Sequence, residues 1–246
     1  SQLLIKDTTK LLIFYFVVMN FAIFTLVDDF VDIGREIKIV VPFFLSLPIA
    51  LLNIDTTLSF YFFEIELGIL YAYIIAPLYV MVVANLINMH SGFNGLAMGL
   101  SLILLIGITA KALIRGYDLM YVLPVLGSLL GFFIFNKYPS KIFEGNVGAY
   151  TIGSAIGSLL ILYNIEFFGV IALIPHIINF LMFVYWKFRK YPFKKFGRLR
   201  NDGTIEVPNN LTLKWFFPYY FRLTEKQCIL IMYIITSIFI VLGFFF

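Results

Sequence analysis

The sequence predicts an all-α membrane protein, a multi-pass bundle of about eight transmembrane helices. Three observations predict it. Of 246 residues, 61% are hydrophobic and 13% charged, against roughly 45–50% and about 25% in soluble domains. Mean hydropathy is +0.97. Apolar runs fall at about 11–27, 37–53, 65–84, 96–115, 118–135, 148–164, 167–186 and 228–246. Each is long enough, or nearly so, to cross a core of roughly 30 Å at about 1.5 Å per residue. Only helices or a closed barrel satisfy their backbone in lipid, and these runs lack the alternation of barrel strands. An ordinary soluble enzyme, a disordered tail and a nucleic-acid binder are excluded. Residues 1–246 read as a single integral membrane domain. Cys228 is the one cysteine, so internal disulfides and cysteine-rich metal sites are excluded too.

Between the second and third runs, residues 54–63 are rich in β-branched and aromatic side chains and predict a short extended or hairpin connection at the surface. With eight crossings, the loops at 28–36, 85–95, 136–147 and 187–227 share one face. That face carries Arg35, Lys38, Lys137, Lys141 and ten basic residues from Lys187 to Lys226. The other has only Lys6, Lys10, Lys111 and Arg115. Cytoplasmic loops carry the excess of Lys and Arg, which puts the first face in the cytoplasm.

The same face gathers the residues suited to chemistry. In the first loop Asp28, Asp29 and Asp32 follow an apolar helix, and if the helix continues Asp28 and Asp32 lie one turn apart. Such carboxylates repel one another unless a cation neutralises them. Mg²⁺ takes one or two carboxylates together with waters and substrate phosphates. Solvated loop acids are the alternative, and this motif alone does not choose. The second loop, Asn85 to Gly95, offers amides and glycines for close backbone approach, or simply breaks a helix. His90 and His176 have no second ligand at zinc spacing. The fourth loop, with Lys194, Lys195, Arg198 and Arg200, suits anionic lipid or a phosphate clamp.

Four stretches in this order, DDFVDIGREIKIVVPFFLSLP, IELGILYAYIIAPLYVMVVANLINMHSGFNGLAMG, FNKYPSKIFEGNVG and RLRNDGTIEVPNNLTL, resemble the polyprenyl-phosphate N-acetylhexosamine-1-phosphate transferases. The likeness is to the eukaryotic and archaeal type that acts on dolichyl phosphate, and it covers essentially the whole chain. That family has ten transmembrane helices. Eight runs and a first residue that is Ser1, not Met, fit a chain truncated at its N-terminus.

The resemblance implies transfer of N-acetylglucosamine-1-phosphate from its UDP donor to dolichyl phosphate, with release of UMP. It gives Asp28, Asp29 and Lys38 the catalytic positions, and gives Asn88, Asn146 and Asp28 the metal. Asn94 falls where an amide reads the nucleotide, and Phe143 where an aromatic stacks on uracil. The basic loop assigns Lys194, Lys195 and Arg198 to substrate, although the family usually has Arg and His where Phe193, Lys194 and Lys195 stand. The implied cofactor is Mg²⁺, with Mn²⁺ as a substitute. The implied partners are UDP-N-acetylglucosamine, dolichyl or another polyprenyl phosphate, and membrane lipid, with no nucleic acid and a homodimer as an allowed assembly. The implied setting is a cell membrane with a cytoplasmic active site, the endoplasmic reticulum being the alternative. One departure concerns the metal: the family's Phe-x-Gly-Asp is here Phe143-Glu144-Gly145-Asn146, an amide in place of a charged ligand. A transporter and an inactive homologue are the competing classes. The absence of an internal inverted repeat and the clustering of charge on one face count against transport.

Overall fold

A computed structural model describes residues 2–31, 33–52, 54–59, 64–190 and 197–246. Among the described residues, most of each of the eight apolar runs is helical. In chain order the helices are α1 (Gln2–Val31), α2 (Arg35–Ser46) with a 3₁₀ extension (Leu47–Leu52), and α3 (Ala76–Met89), entered through a π-turn at Tyr71–Ile75. Then follow α4 (Leu96–Ile114), α5 (Val122–Asn136), α6 (Gly145–Leu162), α7 (Glu166–Ala172), α8 (Ile174–Phe188), α9 (Leu213–Tyr220) and α10 (Glu225–Gly243).

Among the described residues, five helical stretches are long and apolar enough to cross a membrane: Thr8–Val31, Tyr71–Met89, Leu96–Ile114, Gly145–Leu162 and Glu225–Gly243. The pair α7–α8, bent by 60°, makes a sixth if it is one broken span. Two of the eight expected runs are shorter than a full crossing. The helix α5 has 15 residues, and α2 stops at Ser46 after an internal Pro42. Proline removes a helical hydrogen bond and crowds the preceding turn, and the chain continues there as 3₁₀.

The expected surface connection is a hairpin. Strand β1 (Thr57–Ser59) pairs antiparallel with β2 (Glu64–Glu66), Leu58 opposite Ile65. It lies at the end of the bundle where α6 finishes, because Asn164 donates to Asp55 at 3.3 Å. A second small hairpin, β3 (Arg198–Leu199) with β4 (Ile205–Glu206), lies at the opposite end.

The helices α3 and α6 form the centre of the bundle, and their closeness follows from small residues. A Cβ on Gly153 would come within 2.7 Å of Ala84 Cα, and one on Gly157 within 3.0 Å of Val80 Cα. Larger side chains would push the axes apart; small ones let helices in lipid gain dispersion contact along their length. Tyr150 of α6 donates to Asn85 Oδ1 of α3 at 2.9 Å, which fixes their rotation. Around this pair, α1 and α4 to α6 bury Phe14, Leu105, Ile108, Ile156 and Leu159. A separate cluster of Leu96, Trp186, Trp215 and Met232 holds α4, α8, α9 and α10 together. That cluster supports one end of the bundle, where the polar loops meet.

Candidate active site

Two acids in the last turn of α1 begin the site. Carboxylates at a helix C-terminus oppose its dipole, so Asp28 and Asp29 need compensation from elsewhere. Asp28 is 5% exposed. Its Oδ1 accepts the Ile33 backbone N–H at 2.9 Å and pairs with Lys38 Nζ of α2 at 2.8 Å. Its Oδ2 faces Asn146 in the first turn of α6, whose Nδ2 lies 3.4 Å from it and 3.3 Å from Asp29 Oδ1. The positive end of α6 thus meets the acidic end of α1. Gly145, at φ +60°, makes the turn, and a Cβ there would lie 3.9 Å from Asp29 Oδ2. Asp32 lies outside the described residues, and so does its expected place one turn from Asp28.

Beside Asn146 a cleft of about 640 Å³ opens between the loops. Asn88, Ser91 to Asn94, Phe143 to Asn146, Gly197 to Leu199, Ile205 and Glu225 line it. The structure therefore brings Asn88, Asn94, Phe143, Asn146 and Arg198 to one cavity, with Asp28, Asp29 and Lys38 beyond Asn146. Lys194 and Lys195 lie outside the described residues, as does Phe193. The described parts of the four loops expected on one face meet at one end of the bundle.

Local sequence explains the cleft walls. The expected loop Asn85 to Gly95 is shorter than its polarity suggested, because α3 runs on to Met89. Asn85 and Asn88 are helical, Asn85 held between Met81 O and Tyr150. Ser91 Oγ then closes the turn on Asn88 O at 2.7 Å. Gly95, at φ +71°, starts α4, and a Cβ there would stand 2.9 Å from Lys137 Cα, so only glycine lets the second and third loops touch. Asn136, fully buried, donates to Ile142 O and Glu144 Oε2, both at 2.9 Å. It folds the third loop so that Phe143, 62% exposed, projects at the cleft.

Asn94 is engaged on three sides. Its backbone N–H and its Nδ2 both donate to Glu225 Oε1 at 2.6 Å, and its Oδ1 accepts the Ser140 N–H at 3.0 Å. Beneath the same turn, the Lys214 ammonium donates to Ser91 O and lies 5.7 Å from the Phe93 ring centre. Burial lowers Lys214 to about 8, with Glu144 opposing the shift.

His90 and His176 are far apart in sequence but touch in space. Their rings meet edge-to-face at 4.7 Å, both buried. Burial, then His176 and Lys214, push His90 well below its ordinary value. No pattern in the sequence pairs them; α8 folds His176 back beneath the end of α3. Among the described residues no group of three or more His, Cys, Asp or Glu is arranged to hold a metal.

Sequence reasoning missed Glu225 and Lys214. The apolar run taken as the last helix began at 228, whereas α10 begins at Glu225. Thr224, Glu225 and Gln227 carry the helix-start signal that could have located the acid.

A bundle of apolar helices whose one end collects paired carboxylates, a lysine, amides and an aromatic around a cleft is a polytopic membrane protein with a polar site at its helix ends. The family model described as glycosyl transferase family 4 matches residues 11–164, more than half of the chain, and the chain belongs to that family. It is 35% identical over 199 residues to a Sulfolobus acidocaldarius protein provisionally named UDP-N-acetylglucosamine–dolichyl-phosphate N-acetylglucosaminephosphotransferase, covering 76% of this chain and 59% of that one. A Saccharolobus solfataricus protein of the same provisional name is 32% identical over 232 residues, covering 90% of this chain and 70% of its own. A Bacillus subtilis protein, provisionally named undecaprenyl-phosphate N-acetylglucosaminyl 1-phosphate transferase, is 31% identical over 226 residues, 87% of this chain and 60% of its own. The chain thus spans less than two thirds of the Sulfolobus and Bacillus relatives it matches.

Proposed function

We propose that the chain forms the catalytic part of an enzyme that moves N-acetylglucosamine-1-phosphate from UDP-N-acetylglucosamine to dolichyl or another polyprenyl phosphate, releasing UMP. This is the opening step of lipid-linked oligosaccharide assembly for protein N-glycosylation. The observation that carries it is the convergence of Asp28 and Asp29 oxygens on Asn146 at the edge of a cleft lined by amides, Phe143 and Arg198. The names of the archaeal relatives supply the substrates.

Two carboxylate oxygens facing one amide suit a hard dication that keeps waters and takes substrate phosphate oxygens. Asp28 Oδ2, Asp29 and Asn146, turned to present Oδ1, would hold Mg²⁺ or Mn²⁺, with Asn88 on the neighbouring wall. The ion supplies charge neutralisation at the phosphoryl oxygens. Lys38, fixed on Asp28 Oδ1, orients that carboxylate and adds positive charge beside it. Phe143 stacks on the base, and Arg198 meets the anionic part of the donor. The lipid phosphate oxygen attacks the β-phosphorus in line, and the bond from that phosphorus to the bridging oxygen breaks. UMP leaves with the bridging oxygen. The active site faces the cytoplasm of a cell membrane, on the grounds of the Lys and Arg partition among the loops.

The test is incubation of membranes carrying the protein with UDP-N-acetylglucosamine labelled in the sugar and with dolichyl phosphate. Labelled lipid supports the proposal. Label accumulating inside sealed vesicles indicates a transporter, and neither outcome indicates the inactive homologue that Asn146 would favour.

A further inference from the structure

Glu225 does more than line the cleft. It is the first residue of α10, yet that helix start is already closed without it. Thr224 Oγ1 accepts the Gln227 N–H, and Gln227 Oε1 accepts the Thr224 N–H at 2.9 Å, a reciprocal cap that satisfies two of the exposed donors. The Glu225 carboxylate is therefore available to Asn94, and one oxygen accepts both its backbone and its side-chain N–H at 2.6 Å. Ser140 N–H completes the fixation at Asn94 Oδ1, 3.0 Å away. The turn itself is gripped from the same side of the molecule, by Tyr233 on Gly95 O at 2.6 Å and by Lys214 on Ser91 O. All three gripping residues lie outside the stretch 11–164 that the family model matches.

The consequence concerns which way the amide faces. An asparagine side chain exchanges its oxygen and nitrogen by turning over, and a neutral pocket scarcely resists. Here the reversed amide would set its oxygen against the Glu225 carboxylate and its NH₂ against the Ser140 N–H. Both hydrogen bonds would be lost and both replaced by repulsion, one of them involving a full charge. One N–H and one oxygen lone pair remain for a ligand, and their order is fixed. A donor beside an acceptor complements the imide edge of uracil, a carbonyl beside N3–H. Cytosine presents the reverse order, an amino group beside an unprotonated N3, which only the turned-over amide would match.

We infer that Glu225 is a positioning residue that sets the choice of pyrimidine in the cleft by holding Asn94 in one amide orientation. The inference rests on the reading of the cleft as a uridine-nucleotide site. It assigns specificity to the C-terminal helix, where no ligand-reading role was expected.

The experiment is equilibrium binding of UMP and of CMP to the purified protein in detergent, for the unaltered chain and for Glu225→Ala, Glu225→Asp and Glu225→Gln. The unaltered protein should prefer UMP by about tenfold or more, as a site built on paired hydrogen bonds does. Glu225→Ala should bring the ratio of the two affinities to within about threefold of unity. Glu225→Asp, one methylene too short to reach both donors, should do the same while keeping the charge at the helix start. Glu225→Gln, whose Oε1 accepts both N–H groups, should retain the preference, a rescue that loss of packing alone would not show. Full discrimination in a folded Glu225→Ala or Glu225→Asp overturns the inference and leaves the uridine site standing. Equal binding of UMP and CMP by the unaltered protein, or binding of neither, overturns both.

Discussion

Asn146 occupies the point at which two acids converge, and its chemistry sets the charge of the whole site. Its NH₂ lies against Asp28 and Asp29 at 3.4 and 3.3 Å, so without a cation the amide holds the carboxylates together. An aspartate there would add a third negative charge, stable only with a metal. Coulomb attraction between a carboxylate and a dication exceeds that of an amide dipole, even at an effective dielectric near 20. Asn146→Asp should therefore lower the Mg²⁺ concentration needed for half-maximal UMP release and raise the rate. An unchanged midpoint with a lower rate would remove Asn146 from the ligand set. For the acids themselves, Asp28→Asn and Asp29→Asn should each cut kcat by at least about tenfold with little change in folded yield. Normal turnover in both variants would place the chemistry elsewhere.

Between elements, close backbone contacts shape the cleft more than side chains do. Gly95 joins the second loop to the third, and Gly95→Ala meets both a left-handed φ and a contact at 2.9 Å with Lys137 Cα. The strained backbone alone costs on the order of 1–3 kcal/mol. Thermal unfolding should show the loss, whereas alanine at Gly127, which has open space around it, should leave the melting temperature unchanged or raise it. Lys214, under the same turn, gives a pH signature. Burial lowers it to about 8 from an ordinary 10.5, while in the unfolded chain it keeps the ordinary value. Between those limits the unfolded state binds more protons, so stability rises with pH across that window. The gain in melting temperature from about pH 7.5 to about pH 9.5 should shrink in Lys214→Met; an equal gain would show that Lys214 is not the group responsible.

Hydropathy located the long helices, since a span must be apolar whatever it packs against, but it missed the short α9 (Leu213–Tyr220) inside the expected fourth loop. It blurred their polar ends, which is why Asn85 and Asn88 read as loop and Glu225 fell outside the last run. The acids at 28 and 29 and the Phe143–Asn146 turn were legible as motifs because each is short and local. The contacts of Asn94 with Glu225, and of His90 with His176, join residues far apart in the chain, and no local pattern encodes them.

In the whole molecule, the proposed reaction requires that the four polar loops share a compartment. They share one end of the bundle, through contacts of Asp28 with Asn146, Asn94 with Ser140, and Ser91 with Lys214. The cytoplasmic assignment rests on their basic residues. A cysteine placed at Ser140 or Thr204 should resist a membrane-impermeant thiol reagent applied to intact cells and react once the cells are opened. The native Cys228 is buried and should add little background. Ready labelling from outside would reverse the orientation and remove the site from its nucleotide donor.

Transfer of a sugar phosphate is marked by the fate of one phosphorus atom. UDP-N-acetylglucosamine carrying ³²P at the β position distinguishes the two ways a sugar nucleotide reacts. Incubation with polyprenyl phosphate, Mg²⁺ and the protein, followed by separation of lipid from nucleotide, is the measurement. Attack at the β-phosphorus should put the ³²P in the lipid and release unlabelled UMP, with both signals lost in Asp28→Asn. Labelled UDP appearing together with a lipid that carries sugar but no ³²P would mean attack at the sugar carbon, and would contradict transfer of a sugar phosphate.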